Sequence, residues 1–553
     1  LASRPTKHTE EIHMPAVASE TQITLPADTN QALGIARFAI DFLSDDPTAQ
    51  GNPSQAVLDK TNDFFTDAVI CGLSALALKT NAPTVLREEA TQYPVTDATR
   101  LIGRAQRRGA TVFGSNAQLQ PEKAIVANCS AVREWDSNGT NFGYNPELNH
   151  TAGEFGHNDF YSVAIAAAQL MGKDGAYALR SMVLHDEIRG RLAEVFSLKT
   201  YKVDHVVHGG IASAAVFGAM LGATPEQIES AIGMTVAHAI PFRAIRAGKQ
   251  LSDSKGASAA ITTEFAVLSV KRSMAGFLGP RDIFRNPEAI FRIFEGPGQM
   301  FKSVKAESAN TRQADASPFD LVLGRSGDDF AVMGMHFKLG LYEHQSAGAI
   351  QAIIDLLNKA PHLLDDASGS KIAKIKITAY EPAFGIIGDP AKRNPTTRQS
   401  ADHSMVYIIS TLLRKALSQQ QAGWTELMLA PYDYAPDAIV NERTRSLMER
   451  IEFAHGGDEY DSRYPDGIPT SVVITDTDGT DFDSGLVMYP AGHARNTTAD
   501  LKGILNFKFN LLGKLVQEDP ASIIERFQNL ASKSVDEIRD LHDFEIQTRD
   551  GYE

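Results

Sequence analysis

One stretch of the chain, residues 133–159, concentrates side chains that transfer protons or bind polar ligands. Its titratable and hydroxyl residues include Asp136, Thr140, Glu154, His157 and Asp159. Glycines interrupt the stretch, which disfavours a continuous helix and favours loops, where catalytic groups are often held by flanking elements. We therefore predict an acid/base site here. The competing interpretation is that Asp136 and Thr140 cap helix ends and that His157 is a solvated loop residue.

A second stretch, residues 243–256, is basic and contains glycines. Its cationic residues are Arg243, Arg246, Lys249 and Lys255. The whole chain carries a formal charge of -15, which repels anions unless a local cationic pocket overrides the field. We predict that this run lines such a pocket, although scattered charges on a solvated loop are an alternative interpretation.

A third segment contains Lys338 and His344, which flank a short apolar run before a helical pattern that starts at Ala347. A histidine just before a helix is often an ordinary neighbour of the helix cap. However, a single binding site assembled from separate parts of the chain would explain this segment together with the two stretches above. We therefore predict that the three segments meet in one site.

Taken together, these segments resemble the MmgE/PrpD family, and within it the fungal, mitochondrial members that act on 2-methylcitrate. The resemblance extends from about residue 35 to the C-terminus. The residues that carry it are Asp136-x-x-x-Thr140, Glu154-Phe-Gly-His157, Asp204-His205, the run from Phe242 to Ala257, the run from Lys338 to His344, and Asp402-His403-Ser404 with Tyr407.

The resemblance implies removal of water from 2-methylcitrate to give 2-methyl-cis-aconitate, a step of the methylcitrate cycle of propionate breakdown. It also implies a homodimer and a mitochondrial matrix location, with which the polar first 30 residues agree because they lack a secretory apolar core. The reaction removes a weakly acidic proton beside a carboxylate and expels hydroxide. Cations must therefore contact the substrate carboxylates, and a proton must reach the leaving oxygen.

The residues of the three segments are assigned to these roles. The predicted catalytic residues are Asp136, His157, His205, Lys249 and His344. The predicted substrate-binding residues are Thr140, Arg246, Lys255, Lys338 and Arg393. His157 and a second histidine, His344 or His205, would transfer protons because imidazole titrates near neutral pH. The sequence leaves open which histidine is the base and which is the acid.

The cysteine content restricts the chemistry. Cys71 and Cys129 are the only two cysteines, so neither a disulfide framework nor a cysteine-based metal site is indicated. An iron–sulfur cluster, which serves as the Lewis acid in many dehydrations of hydroxy-tricarboxylates, needs more thiolates than two. We therefore expect side-chain acid/base chemistry without a metal or a cofactor.

Two rival functions remain. A cis-aconitate decarboxylase would use the same cationic pocket, but relatives of that kind have a tyrosine shortly before an Arg-Pro pair in the lid. Residues 388–395 here read Gly-Asp-Pro-Ala-Lys-Arg-Asn-Pro, without a tyrosine, which favours dehydration. The other rival is a helical interaction scaffold without enzymatic activity, which would not be stabilised by tricarboxylates.

Charge and hydropathy exclude several partners. A pI near 5.5 and the negative net charge argue against nucleic acid and anionic membranes. No apolar run approaches the roughly 20 residues that span a bilayer, and the best candidate, from Gly209 to Ala223, is rich in small residues. It is typical of a closely packed internal helix.

The elements that position these residues follow two patterns. Apolar residues recur at helical spacing from about residue 30 to 280, whereas residues 374–380 alternate as in a strand and Asp478-Gly479 predicts a hairpin turn. We therefore predict a mainly α fold with a large all-helical domain and a smaller inserted α+β lid domain. The predicted divisions are a flexible segment 1–29, the helical domain 30–325, the lid 326–498 and the C-terminal helices 499–553, which rejoin the helical domain.

Overall fold

The computed structural model describes residues 21–97, 108–246, 250–293, 316–549 and 552, together with the backbone of residues 100–101 and 104–105. Helices dominate these residues and the sheets are small. The predicted mainly α fold class is confirmed. The division into a helical domain and an inserted lid stays a prediction, as do its boundaries.

The first part of the chain is built mostly of α-helices. Those in the described residues before 300 are α1 (Gln31–Phe42), α2 (Gln55–Ala77), α3 (Asn81–Thr91), α4 (Pro121–Arg133), α5 (Ser162–Met171), α6 (Gly175–Val195), α7 (Val206–Met220), α8 (Pro225–His238), α9 (Ser254–Met274) and α10 (Ile290–Ile293). Helices α1 and α2 confirm the apolar periodicity found in those parts of the sequence.

The start of α8 shows how the local sequence ends a loop and begins a helix. The amide of Gln227 donates to the Thr224 hydroxyl at 3.3 Å, and the amide of Thr224 donates to the Gln227 side chain at 2.9 Å. Pro225 occupies the first helical position, where a missing N–H costs nothing. This capping box satisfies two amides that the helix itself leaves unpaired.

Helix α7 packs closely against α6, α8 and α9. Its small residues permit this approach, because a Cβ at Gly209 would lie 2.0 Å from the Phe160 ring and one at Gly210 would lie 2.8 Å from Thr262. The predicted internal helix rich in small residues is therefore confirmed. His205 precedes the first turn of α7, so the packing of this helix also fixes the position of His205.

Eight short strands among the described residues before 330 form four small two-stranded sheets. They are β1 (Gln22–Leu25), β2 (Asn52–Pro53), β3 (Arg100–Leu101), β4 (Arg104–Ala105), β5 (Thr140–Phe142), β6 (Phe155–His157), β7 (Leu321–Gly324) and β8 (Ser326–Gly327). Strand β1 pairs with β7, β2 with β8, β3 with β4, and β5 with β6.

These strands correct two predictions. The segment predicted to be flexible up to residue 29 forms a strand at Gln22–Leu25, because its backbone pairs antiparallel with Leu321–Gly324. Residues 1–20 lie outside the described residues. Residues 30–325, predicted to be all-helical, also contain strands, since β5 and β6 form a hairpin in which Thr140 lies opposite His157.

The second part of the chain adds more helices and a four-stranded sheet. The helices are α11 (Ala347–Lys359), α12 (Arg398–Ala401), α13 (Met405–Gln419), α14 (Trp424–Leu427), α15 (Pro436–Ile439), α16 (Glu442–Met448), α17 (Asp458–Asp461), α18 (Leu501–Val516), α19 (Pro520–Phe527) and α20 (Val535–Arg539). The strands are β9 (Ile372–Ala379), β10 (Ile451–His455), β11 (Thr470–Asp476) and β12 (Asp481–Asp483).

The sheet has the strand order β10-β9-β11-β12, and α11 packs against β11. Strand β9 runs parallel to β10 and antiparallel to β11. Strands β11 and β12 form an antiparallel hairpin whose turn contains Gly479 at φ +82°. The predicted strand at residues 374–380 and the predicted Asp-Gly hairpin are therefore confirmed.

Helix α18 packs against α2 through a buried ion pair. Lys508 Nζ lies 2.6 Å from Asp67 Oδ1 and donates to the carbonyls of Ser137 and Lys338 at 2.7 and 2.8 Å. Burial raises the pKa of Asp67, and Lys508 opposes that rise. The ammonium thus joins the C-terminal helices to the segments beside Asp136.

Within the described residues, no single helix is both long enough and apolar enough to cross a bilayer. Helices α2 and α3, which are bent by 89° at their junction, meet the length and hydropathy requirements only when taken together.

The ion pair between Lys508 and Asp67 gives a stability prediction. Lys508→Met leaves a carboxylate buried without its partner and should lower the free energy of unfolding by about 3–5 kcal/mol, measured by urea denaturation. The control Asp67→Leu/Lys508→Met removes both charges and should regain most of the loss. Equal stability of Lys508→Met and wild type would contradict the assigned role.

Candidate active site

Asp136 lies in the turn that follows α4. Its φ of +51° falls in the left-handed region, which costs a residue other than glycine about 1–3 kcal/mol. The Asp136 amide donates to the Arg133 carbonyl at 3.0 Å, and the Asp136 carboxylate forms an ion pair with the Arg133 guanidinium. The turn therefore brings the carboxylate back to the end of α4.

Cationic groups surround the Asp136 carboxylate. Arg133 and Lys338 both pair with Oδ1, and Lys338 Nζ also donates to the Asp136 carbonyl at 2.8 Å. Lys255 Nζ lies 3.9 Å from Oδ2. Burial alone would raise the pKa of Asp136, but the attraction of Arg133 and Lys338 holds this pKa well below its usual value. The buried carboxylate is therefore ionised at neutral pH.

His403 connects Asp136 to a second carboxylate. Its Nε2 lies 3.2 Å from Asp136 Oδ2, and its Nδ1 lies 2.7 Å from Asp402 Oδ1. Lys255 Nζ lies 2.6 Å from the same Asp402 oxygen and 3.2 Å from His403 Nδ1. Burial, followed by repulsion from Lys255, lowers the pKa of His403 to about 3. The His403 ring is therefore neutral at neutral pH.

Asp136, Asp402 and His403 offer potential metal-ligand atoms within 4.8 Å of one another. The Lys255 ammonium contacts Asp402 and His403 directly and already supplies positive charge to this group. Arg133 and Lys338 add further positive charge beside Asp136, which would repel a metal ion. The donor set therefore fits an ion-pair network better than a metal centre.

The imidazoles of His157, at the end of β6, and His205, before α7, lie with ring centroids 5.1 Å apart. His205 Nδ1 lies 3.5 Å from Asp204 Oδ1. Both ring nitrogens of His205 and the Nδ1 atom of His157 lack a hydrogen-bond partner among the described residues. Burial lowers the pKa of both histidines well below the usual value, and nearby arginines, Arg133 at His157 and Arg246 at His205, lower it further. Both rings are therefore uncharged at neutral pH.

The segment Arg243–Arg246 forms a short 3-10 helix beside these histidines. Arg246 forms an ion pair with Asp204 and donates a second hydrogen bond to it at 3.2 Å. Burial opposes ionisation of Asp204, but Arg246 keeps its pKa well below the usual value. Arg243 is half-buried, and its Nη1 atom has no hydrogen-bond partner within the described residues.

These groups enclose a cavity of about 30 Å³, roughly the volume of one water molecule. The predicted site residues that line it are Asp136, Thr140, His157, His205 and Arg246. The other polar or charged residues that line it are Arg133, Arg243, Glu343, Gln345, Lys392 and His403. The cavity therefore joins the three polar segments singled out in the sequence.

Other predicted site residues lie beside the cavity rather than on its wall. Lys255 and Lys338 are fully buried, and their ammonium groups are bound by carboxylates of the protein. His344 is buried next to Phe142 and His336, with ring centroids 5.5 and 5.3 Å away. Burial, followed by repulsion from Lys338, lowers the pKa of His344 well below its usual value.

Two predicted residues are not found in the cavity. Lys249 lies outside the described residues. Arg393 is exposed, and its guanidinium lies 5.5 Å from the centre of the Phe453 ring. Its neighbour Lys392 is buried and lines the cavity instead. In this segment the residue that lines the cavity is therefore Lys392, next to the predicted Arg393.

The sequence interpretation missed Glu343 and Lys392, and it assigned no role to His403 although His403 belongs to a motif of the resemblance. An acidic residue just before a helical pattern is a common cap, and Glu343 does accept from the amide of Gln345 at 2.8 Å. Burial, followed by repulsion from Asp136, raises the pKa of Glu343 to about 7. Only the shared cavity distinguishes this carboxyl from an ordinary capping group.

Known proteins with similar sequences bear on this site. A 2-methylcitrate dehydratase of Escherichia coli K12 is 23% identical over 494 residues, which cover 85% of this chain and 89% of the relative. The mitochondrial 2-methylcitrate dehydratase of Yarrowia lipolytica is 24% identical over 513 residues, covering 88% and 87%. A probable 2-methylcitrate dehydratase of Saccharomyces cerevisiae is 24% identical over 518 residues, covering 88% and 89%.

Family models match most of the chain in two parts. Residues 35–301 match the MmgE/PrpD N-terminal domain, which contains the segments with Asp136, His157 and His205. Residues 343–532 match the MmgE/PrpD C-terminal domain. The chain therefore belongs to the MmgE/PrpD family.

Proposed function

We propose that this protein removes water from 2-methylcitrate to give 2-methyl-cis-aconitate in the methylcitrate cycle. The main support is the pair of neutral imidazoles, His157 and His205, in a buried cavity that cationic side chains surround. Relatives named for this reaction match the chain along most of its length. A buried base beside fixed positive charge suits removal of a proton next to a carboxylate.

The charge of the cavity suits a tricarboxylate. The chain is strongly negative overall, so a trianion needs local attraction. Arg243 and Lys392 line the cavity and provide most of it, because Arg133 and Arg246 are already paired with Asp136 and Asp204. As negative charge moves onto a substrate carboxylate during proton removal, these fixed cations stabilise the transition state without reorganising.

The proton removed from carbon would pass to His157 or His205. Each imidazole becomes positively charged on accepting it, and each has a carboxylate nearby that stabilises this charge. Asp136 attracts the protonated form of His157, and Asp204 attracts that of His205. Asp136 would therefore act through the histidine, as its place in the ion-pair network allows.

Thr140 donates to the Gly156 carbonyl at 2.8 Å, and its oxygen could accept a hydrogen bond from substrate.

The proton for the leaving hydroxide would come from Glu343. A carboxyl with a pKa of about 7, raised by burial and by Asp136, is partly protonated at neutral pH and is well matched to general acid catalysis. Glu343 lines the same cavity as both histidines. Departure of hydroxide as water then needs no Lewis acid, and all groups in this mechanism belong to the chain.

Entry of the substrate requires the cavity to open. A space of about 30 Å³ holds about one water molecule, and a tricarboxylate is several times larger. Glu343, Lys392 and His403 come from the predicted lid, 326–498, and the remaining charged groups come from the predicted helical domain. Movement of the lid away from the helices would admit the substrate between them.

We further propose a mitochondrial matrix location and a homodimer. The location is supported by the name of the Yarrowia lipolytica relative. The homodimer rests on the family resemblance and would be tested by the mass of the purified protein in solution.

The first activity prediction concerns the base. His157→Ala should reduce turnover of 2-methylcitrate by at least about 100-fold, with an unchanged circular dichroism spectrum. The same loss is expected for Lys249→Ala. The control His150→Ala changes a histidine that pairs with Glu194 at 3.1 Å outside the cavity wall, and it should keep wild-type turnover. Wild-type turnover in His157→Ala would remove this histidine from the mechanism.

The second prediction concerns the pH dependence. A proton donor is lost when it ionises, so turnover should fall as the pH rises through about 7, the raised pKa of Glu343. Glu343→Gln cannot donate a proton and should lower turnover about 100-fold and abolish this limb of the profile. The exposed Glu381→Gln serves as the control. A Glu343→Gln variant with the wild-type pH profile would refute the assignment.

The reaction itself is tested with chelator-treated protein. After dialysis against EDTA, the protein should still form the unsaturated acid from 2-methylcitrate, measured by absorbance, without release of carbon dioxide from cis-aconitate. The expectation follows from side-chain chemistry and from the presence of only two cysteines, both buried.

The alternative outcomes separate the rival functions. Carbon dioxide release from cis-aconitate would indicate a decarboxylase. Activity that disappears with EDTA and returns only with a metal would overturn the metal-free mechanism. An absence of both turnover and thermal stabilisation by tricarboxylates would favour the interaction scaffold, because a specific ligand must stabilise the folded state.

A further inference from the structure

Lys392 and Arg243 differ from the other cationic groups around the cavity because neither forms an ion pair with the residues that the structure describes. Glu343 attracts the Lys392 ammonium and Asp204 attracts the Arg243 guanidinium, but neither carboxylate forms an ion pair with these groups in the described part of the chain. The Arg243 Nη1 atom is buried without a hydrogen bond. Lys392 is only 9% exposed, and both residues line the cavity.

The remaining cations of the site are neutralised by the protein. Arg133 and Lys338 pair with Asp136. Arg246 pairs with Asp204. The paired groups therefore have little positive charge left for a ligand, whereas Lys392 and Arg243 retain theirs.

Lys255 completes the set of neutralised cations, since its ammonium lies 2.6 Å from Asp402 Oδ1. The carboxyl that most strongly attracts the Lys392 ammonium is Glu343, which lines the same cavity. It does not form an ion pair with Lys392 in this structure, and its own raised pKa keeps it partly neutral.

Burial of an unpaired cation is unfavourable. Burial lowers the pKa of Lys392 to about 8 and also lowers the pKa of Arg243. A protein that keeps two such charges at one cavity loses stability unless an anion binds there. The arrangement is thus typical of a ligand site rather than of a structural ion pair.

Both side chains are carried by anchored backbone. The Lys392 carbonyl accepts from the Ser404 hydroxyl at 2.7 Å, and Lys392 ends the short 3-10 helix Pro390–Lys392. The Arg243 amide donates to the Lys202 carbonyl at 2.8 Å. The two charged groups are therefore held at the cavity by parts of the chain that are far apart in sequence.

We infer that Lys392 and Arg243 jointly bind one carboxylate of the tricarboxylate substrate, and that this shared carboxylate connects the two family domains. The inference rests on the proposed function. Arg243 belongs to the segment that matches the N-terminal domain, and Lys392 belongs to the segment that matches the C-terminal domain. A bound carboxylate would supply the missing negative charge and draw both domains onto the substrate.

The inference is tested with tricarballylate, a tricarboxylate that lacks the hydroxyl group and cannot be dehydrated. Lys392→Met and Arg243→Met should each weaken its binding about 10- to 100-fold, the range for a hydrogen bond to a charged group, measured by calorimetry. The double variant should lose much less than the product of the two effects, because both residues hold the same carboxylate. Lys392→Arg keeps the charge and should retain most of the affinity.

Two controls separate the site from general effects. Lys376→Met removes an exposed lysine on β9 and should leave the affinity unchanged. Without ligand, Lys392→Met should be at least as stable in urea as wild type, because it removes an unpaired buried charge.

The outcomes distinguish this inference from the proposed function. Unchanged affinity in Lys392→Met, multiplicative losses in the double variant, or an equal loss in Lys376→Met would each overturn the shared carboxylate site. Wild-type protein that dehydrates 2-methylcitrate while Lys392→Met binds tricarballylate normally would leave the proposed function intact. Wild-type protein that binds tricarballylate through both residues without dehydrating 2-methylcitrate would support the inference and refute the proposed function.

Discussion

A carboxylate removed from water is stable only when cations and hydrogen-bond donors replace its hydration. Asp136 meets this requirement with groups from three parts of the chain, two of which are distant from it in sequence. Arg133 approaches from the end of α4, Lys255 from the start of α9, and Lys338 from a segment 202 residues away. Loss of any one partner would leave uncompensated charge in the interior. The network therefore constrains how these segments pack around the cavity.

The same concentration of positive charge sets the protonation of the histidines. Burial and nearby cations keep His157, His205 and His403 neutral. A bound anion acts in the opposite direction, since an opposite charge within a few ångströms favours the protonated imidazole. A tricarboxylate would thus raise the proton affinity of His157 and His205 when it enters. Base strength and substrate binding are coupled through electrostatics, without any change in covalent structure.

Local sequence signals account for much of the fold. The capping box at Thr224, the alternation of β9 and the Asp-Gly turn between β11 and β12 were all predictable, because each depends on residues within a few positions of one another. The pairing of β1 with β7 could not be predicted from the sequence, because the two strands are short and lie about 300 residues apart. The hairpin of β5 and β6 was missed because its strands have only three residues each.

The candidate site divides in the same way. The sequence indicated the clustered polar segments and the histidines His157 and His205, which line one cavity in the structure. It could not indicate that Lys392 rather than Arg393 faces the cavity, because a single residue changes the direction of a side chain in a short turn. Nor could it distinguish Glu343 from a capping residue.

Residue types and local spacing were therefore determined by the sequence alone: which groups could move protons, where helices begin, and that two cysteines are too few for a cluster. The tertiary structure decided which charges neutralise one another. It bound Lys255 and Lys338 to carboxylates of the protein. It left the charged groups of Lys392 and Arg243 without an ion pair among the described residues. The physical reason is that ion pairing depends on distance and burial in the folded chain, and neither quantity is encoded by neighbouring residues.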